Sequence, residues 1–93
     1  MREKTIEQKL IRAVRQSGGL ALKLVSPGFN GVPDRSLLFM GGKLAFCEVK
    51  APGQKPRPLQ VHRMEQLRDL GFKVFVIDGL DQIGGMIDEI CSA

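Results

Sequence analysis

From Lys43 to Ile77 the chain reads as strand, helix, strand, and this run constrains the fold more than any other feature. "KLAFCEVK" (43–50) has strand composition, "LQVHRMEQLRDL" (59–70) reads as a helix that stops at Gly71, and "FKVFVI" (72–77) is a nearly continuous apolar strand, the kind buried on both faces. Two strands joined through a helix lie parallel in one sheet, linked by a right-handed crossover. "DRSLLFM" (34–40) precedes the first strand across Gly41 and Gly42, a hairpin turn, so that pair is antiparallel. The sheet is therefore mixed, with helices covering it.

The flanking segments complete the order. "TIEQKLIRAVRQSGG" is a helix with Thr5 and Gln8 at capping-box spacing and a stop at Gly18 and Gly19. "LALKLV" (20–25) is a strand, and "SPGFNGVP" and "APGQKPRP" are loops, with Pro58 opening the next helix. Asp81 is placed to cap a last amphipathic helix through Ile83, Met86, Ile87 and Ile90, whose apolar face either dimerises or closes the core. The class is α/β and the order α-β-β-β-α-β-α.

Composition narrows the function. Ninety-three residues fit one domain, 1–93, and a small surface makes self-association expected. Fourteen Lys and Arg against ten Asp and Glu give a net charge of +4, a bias towards polyanionic partners. Cys47 and Cys91 lie outside any Cys-x-x-Cys spacing and read as inert packing residues in a reducing compartment. No apolar run approaches the roughly 20 residues of a membrane span, and the charged start "MREKTIEQKL" is unlike a signal peptide, so a soluble, cytoplasmic protein without membrane contact is expected. No phosphate-binding loop is present, which argues against a nucleotide cofactor. His62 is the lone histidine, too few for histidine-based phosphodiester chemistry, and it reads as a surface residue. With no Trp or Tyr, a stacking platform for single strands is unsupported; Phe29 either is exposed or packs beneath the hairpin.

Charge within the strands is the feature that needs explaining. Glu48 and Lys50 share a strand face, because alternate residues do. Asp34 joins them if the hairpin loop holds three residues, Gly41 to Lys43, which sets Met40 against Leu44 and Asp34 against Lys50; a two-residue loop would send it to the wrong face. Glu7 precedes the stripe Leu10, Ile11 and Val14 by three, four and seven residues, in line with it. Two carboxylates and a lysine suit metal-assisted phosphodiester hydrolysis, since hard oxygen ligands hold Mg²⁺ or Mn²⁺ while leaving water positions open. The Val49 carbonyl is a further candidate ligand. Each element alone is commonplace on a solvated surface, but Pro-Asp on one hairpin arm and Glu-x-Lys on the other is a specific arrangement.

"GVPDRSLL" followed by "FCEVKAPGQKPRPLQ" resembles the PD-(D/E)xK nuclease superfamily, and in particular its virus-type replication and repair nuclease (VRR-NUC) family. The resemblance covers nearly the whole chain and implies the restriction-endonuclease-like core. It implies that Asp34, Glu48 and the Val49 carbonyl bind the divalent metal, that Glu7 completes or supports that site, that Lys50 is the catalytic lysine and that Gln60 lies beside it. The loop after the lysine departs from the family, with Gln54, Lys55, Arg57 and Pro58 where an acidic or Asn residue and a Ser or Thr cap are common. Lys55 and Arg57, with Arg63 and Lys23 after them, are the candidate DNA contacts. The expected activity is a metal-dependent endodeoxyribonuclease acting on branched DNA, such as four-way (Holliday) junctions, as a homodimer. The alternatives are a non-catalytic DNA-binding module and a nuclease acting on linear duplex or RNA.

Overall fold

The computed structural model describes residues 1–92. Ile6, Leu10 and Val14, spaced by four, are fully buried along one side of the first helix, α1 (Glu3–Gln16). That helix starts two residues before Thr5: the Arg2 carbonyl accepts the N–H groups of Thr5 and Ile6, so Thr5 lies inside it and the expected capping box does not form. At its far end Gly18 adopts φ +83, a left-handed conformation that ends the helix cheaply only for glycine.

Three strands follow, β1 (Leu20–Lys23), β2 (Arg35–Phe39) and β3 (Lys43–Val49), then α2 (Pro58–Asp69), β4 (Lys73–Ile77), a short 3-10 turn (Leu80–Gln82) and α3 (Ile83–Ser92). The sheet order is β1-β2-β3-β4, antiparallel up to β3 and parallel between β3 and β4. This is the mixed α/β sheet that the strand–helix–strand run requires. β1 is shorter than expected and mostly exposed, as an edge strand. At the other edge Val74 is buried while Val76 remains exposed, so β4 is not covered on both faces throughout.

The hairpin register differs from the expected one. Phe39 pairs with Lys43 and Arg35 with Cys47, leaving Met40, Gly41 and Gly42 as the loop. Extended one residue past Arg35 and Cys47, this register sets Asp34 against Glu48 rather than Lys50. A slip of two residues preserves side-chain facing, whereas a slip of one would reverse it.

The two faces of the sheet bury different partners. Leu37, Phe39, Ala45, Cys47, Val49 and Ile77 pack under α1 and α3, where Ile83, Met86, Ile87 and Ile90 close the core. Phe46 and Val74 pack against Met64 on α2. Glu48, two residues after Phe46, therefore projects towards α2. Asp81 sits inside the 3-10 turn; the Gln82 side chain does the capping, its Oε1 accepting N–H from Asp78 at 2.7 Å and Gly79 at 3.1 Å. No helix among the described residues is long and apolar enough to cross a membrane.

Candidate active site

Glu48 is the centre of the charged cluster. Its side chain is 2% exposed, and both carboxylate oxygens are occupied. Oε1 accepts the Asp34 backbone N–H at 3.2 Å. Oε2 accepts Gln60 Nε2 at 2.8 Å and pairs with Lys50 Nζ at 3.1 Å. Burial raises the Glu48 pKa and Lys50 opposes that rise, so the ammonium and the amide stabilise the charged form that burial disfavours.

Asp34 is delivered by a loop and fixed by the sheet. Its carbonyl accepts the Leu24 N–H at 2.9 Å, and its Oδ2 accepts the Val49 N–H at 2.9 Å. A strand residue's N–H and C=O point to the same side of the strand, so the Val49 carbonyl is directed to the Asp34 side too. Oδ1 of Asp34 has no hydrogen-bond partner among the described residues.

Gln60 arrives because Pro58 starts α2 and puts Gln60 in its first turn, where Oε1 accepts the Arg57 N–H at 2.9 Å and Nε2 remains free to reach Glu48. Lys50 lies at the end of β3, its N–H donating to the Ile77 carbonyl at 2.9 Å. The segment after it is held by Asp78, whose Oδ2 accepts the Gly53 N–H at 3.1 Å and whose Oδ1 accepts Gln82 Nε2 at 3.0 Å.

Glu7 is placed differently from the other two acids. It belongs to α1, on the opposite face of the sheet from Glu48, and its Oε2 accepts Arg35 Nε at 2.9 Å. Among the described residues no three His, Cys, Asp or Glu side chains lie close enough to hold an ion by themselves. All three acids nevertheless act on Cys47: burial first, then Asp34, Glu48 and Glu7, push its thiol up to about 12. Sequence spacing missed Arg35 and Asp78. The Arg35 and Glu7 pair spans 28 residues and leaves no periodic trace, whereas the Asp78 to Gln82 spacing of four was a visible signal of a local cap.

Lys23, Lys55 and Arg57 are exposed, with Lys23 paired across the ladder with Arg35. Arg63 is engaged within the protein, and His62 is exposed. A groove of about 580 Å³, lined by Asn30, Gly31, Arg57, Pro58, Leu59 and Gln60, opens next to Glu48's amide partner.

The chain is similar in fold to a solved VRR_NUC domain, which is 31% identical, superposes with a TM-score of 0.87, and matches over 92% of this chain and 94% of that one. This chain belongs to the VRR-NUC family of PD-(D/E)xK nucleases. A second relative, the "Putative nuclease p44" of Acyrthosiphon pisum secondary endosymbiont phage 1, is 48% identical over 81 residues, 87% of each chain. No family model matches the chain. As a nuclease of the VRR-NUC type, it carries its Pro-Asp immediately before β2 and its Glu-x-Lys at the end of the adjoining β3, with a glutamine reaching the same carboxylate as the lysine.

Proposed function

We propose that this VRR-NUC protein is a divalent-metal-dependent endodeoxyribonuclease that cuts branched DNA, such as four-way junctions, as a homodimer. The observation that carries the reading is the convergence of Asp34, Lys50 and Gln60 on one buried carboxylate, Glu48. Burying a charge this thoroughly is costly, and a fold that only needed stability would do as well with apolar residues there.

The donor chemistry fits Mg²⁺ or Mn²⁺. Asp34, Glu48 and the Val49 carbonyl supply hard oxygens, and two carboxylates with one carbonyl leave positions for water. The metal when bound acidifies a water and offsets charge on the phosphate. Lys50 holds an ammonium at the carboxylate, from which it orients the attacking water by hydrogen bonding. Gln60 fixes Glu48 Oε2, and Arg35 tethers Glu7, which supports the site from the other face of the sheet. Arg57 lines the groove leading to Gln60, and it and the exposed Lys55 of the same loop contact phosphates beside the cut, with Lys23 a further contact at the β1 edge. Two copies related by a two-fold axis would present two such sites, as paired cuts in a junction require.

The test is cleavage of a labelled four-way junction beside a linear duplex of the same sequence, with Mn²⁺, with Mg²⁺ and with EDTA, and with Asp34→Ala as control. Metal-dependent cutting of the junction alone, absent in the variant, is the expected result. Cutting of both substrates retains the nuclease and removes the junction preference. Binding without cutting in every lane replaces the enzyme with a DNA-binding module.

A further inference from the structure

Arg63 stands where a phosphate contact was expected, yet its guanidinium is used inside the protein. It lies over the Phe29 ring, 3.7 Å from the centroid. Its Nε donates to the Asn30 carbonyl at 2.7 Å and its Nη1 to Gln66 Oε1 at 3.0 Å. The neighbouring Gly31 has φ +89, and a Cβ there would stand 2.8 Å from Leu59 Cγ and 3.3 Å from Arg63 Cγ. The connection between β1 and β2 is therefore pressed against α2 with no room for a side chain at its point of contact. Its two ends are closed by the Leu24 to Asp34 backbone bond. Arg63 makes the only hydrogen bond from α2 to its middle among the described residues.

The same helix reaches Glu48 through Gln60, one turn before Arg63. One element thus holds both acids: Glu48 directly, and Asp34 through the loop that ends in it. We propose that Arg63 is a positioning residue that sets Asp34 against Glu48 by clamping the Phe29–Asn30 segment to α2. Its consequence for catalysis rests on the metal-site reading above, but the coupling itself is a property of the metal-free protein. A cation over an aromatic ring and a charge-assisted hydrogen bond hold the exposed middle of a loop whose apolar anchors, Leu24 and the buried Pro33, lie at its two ends.

Two amides report the spacing directly: Asp34 N–H, bonded to Glu48 Oε1, and Val49 N–H, bonded to Asp34 Oδ2. The experiment is hydrogen exchange and ¹⁵N amide spectra of the full chain without metal, for wild type, Arg63→Ala, Arg63→Lys and Phe29→Leu. In Arg63→Ala both amides should shift and exchange about tenfold faster or more, while amides of Leu10 and Ala45 keep wild-type protection. Arg63→Lys retains a donor for Asn30 without the planar stack, so it should restore part of the protection. Phe29→Leu should reproduce part of the loss. Mn²⁺ titrations run alongside should show weaker binding in Arg63→Ala, with the salt dependence of DNA affinity unchanged. Unaltered Asp34 and Val49 amides in Arg63→Ala would overturn the proposal, as would a shallower salt slope that lysine restores, the signature of a phosphate contact. If wild type bound no Mn²⁺, the metal reading would fail while the amide comparison still decided the role of Arg63.

Discussion

Asp34 and Glu48 each fasten the other's strand: the Asp34 N–H donates to Glu48 Oε1 at 3.2 Å, and Asp34 Oδ2 accepts the N–H of Val49, the residue after Glu48, at 2.9 Å. The exchange occurs where the β2–β3 ladder ends, so the groups assigned to chemistry also finish the sheet. Asparagine at position 34 keeps an oxygen for Val49, while alanine leaves that N–H without its partner. Asp34→Asn should therefore unfold within about 1 kcal/mol of wild type, and Asp34→Ala should lose about 1–3 kcal/mol. Both should lose cleavage; thermal unfolding beside a cleavage assay checks the separation.

Lys50 has a stabilising role, as the ion-pair partner of buried Glu48, distinct from the catalytic one proposed for it. The Glu48 pKa is raised by burial and held back by Lys50, so removing the ammonium raises it further. A carboxylate raised in the folded state supports folding while protonated and loses that support as pH rises through its folded pKa. Lys50→Met should thus cost about 3 kcal/mol at pH 7, shrinking as pH falls towards the carboxylate range, because one partner of a buried pair has been removed. It should also abolish cleavage while tightening Mn²⁺ binding, since a positive charge has left the site. Denaturant titrations across pH, with Mn²⁺ calorimetry, test both.

Cys47 should be chemically silent. It is fully buried, and burial with three nearby acids pushes its thiol up to about 12, whereas Cys91 is exposed. Native protein at pH 8 should give one thiol equivalent with a thiol reagent and two after denaturation. With the unfolded thiol near 9.0, this group's contribution to stability is intact below that pH and is lost as pH rises towards 12. Mass mapping of the labelled peptide should find Cys91 alone.

Gly31 and Gly28 separate strain from crowding. Both have positive φ, +89 and +78, but a Cβ at Gly28 meets nothing within 4 Å, whereas at Gly31 it meets Leu59 and Arg63. Gly28→Ala should cost about 1–2 kcal/mol from backbone conformation alone. Gly31→Ala should cost about 2–4 kcal/mol and, by lifting the loop from α2, reduce cleavage as well. Comparison of the two in unfolding and cleavage assays tests whether the loop's docking matters to the site.

The sequence made the architecture legible where periodicity and connectivity act locally. A strand, a helix and a strand leave one sensible arrangement for β3, α2 and β4, and the stripe Ile83, Met86, Ile87 and Ile90 found the core. The family motif named Asp34, Glu48, Lys50 and Gln60, and the fold draws these four together. The hairpin register was not legible to the residue, because two adjacent glycines allow several loop conformations and only the face of Asp34 was constrained by burial. Thr5 and Asp81 misled for a related reason. Capping residues mark a helix start only if the backbone turns there, and here the Arg2 carbonyl and the Gln82 side chain do that work. The Arg35 tether on Glu7 and the Arg63 clamp on Asn30 join residues about thirty apart, and neither follows from any local pattern.

Calorimetric titration of Mn²⁺ into wild type and Asp34→Asn measures whether Asp34 and Glu48 together hold a divalent metal. Wild type should bind Mn²⁺ with an affinity that the asparagine variant loses by at least about tenfold, equivalent to 1.4 kcal/mol, while its unfolding midpoint stays near that of wild type. Equal Mn²⁺ affinity in the two proteins would remove Asp34 from the metal site.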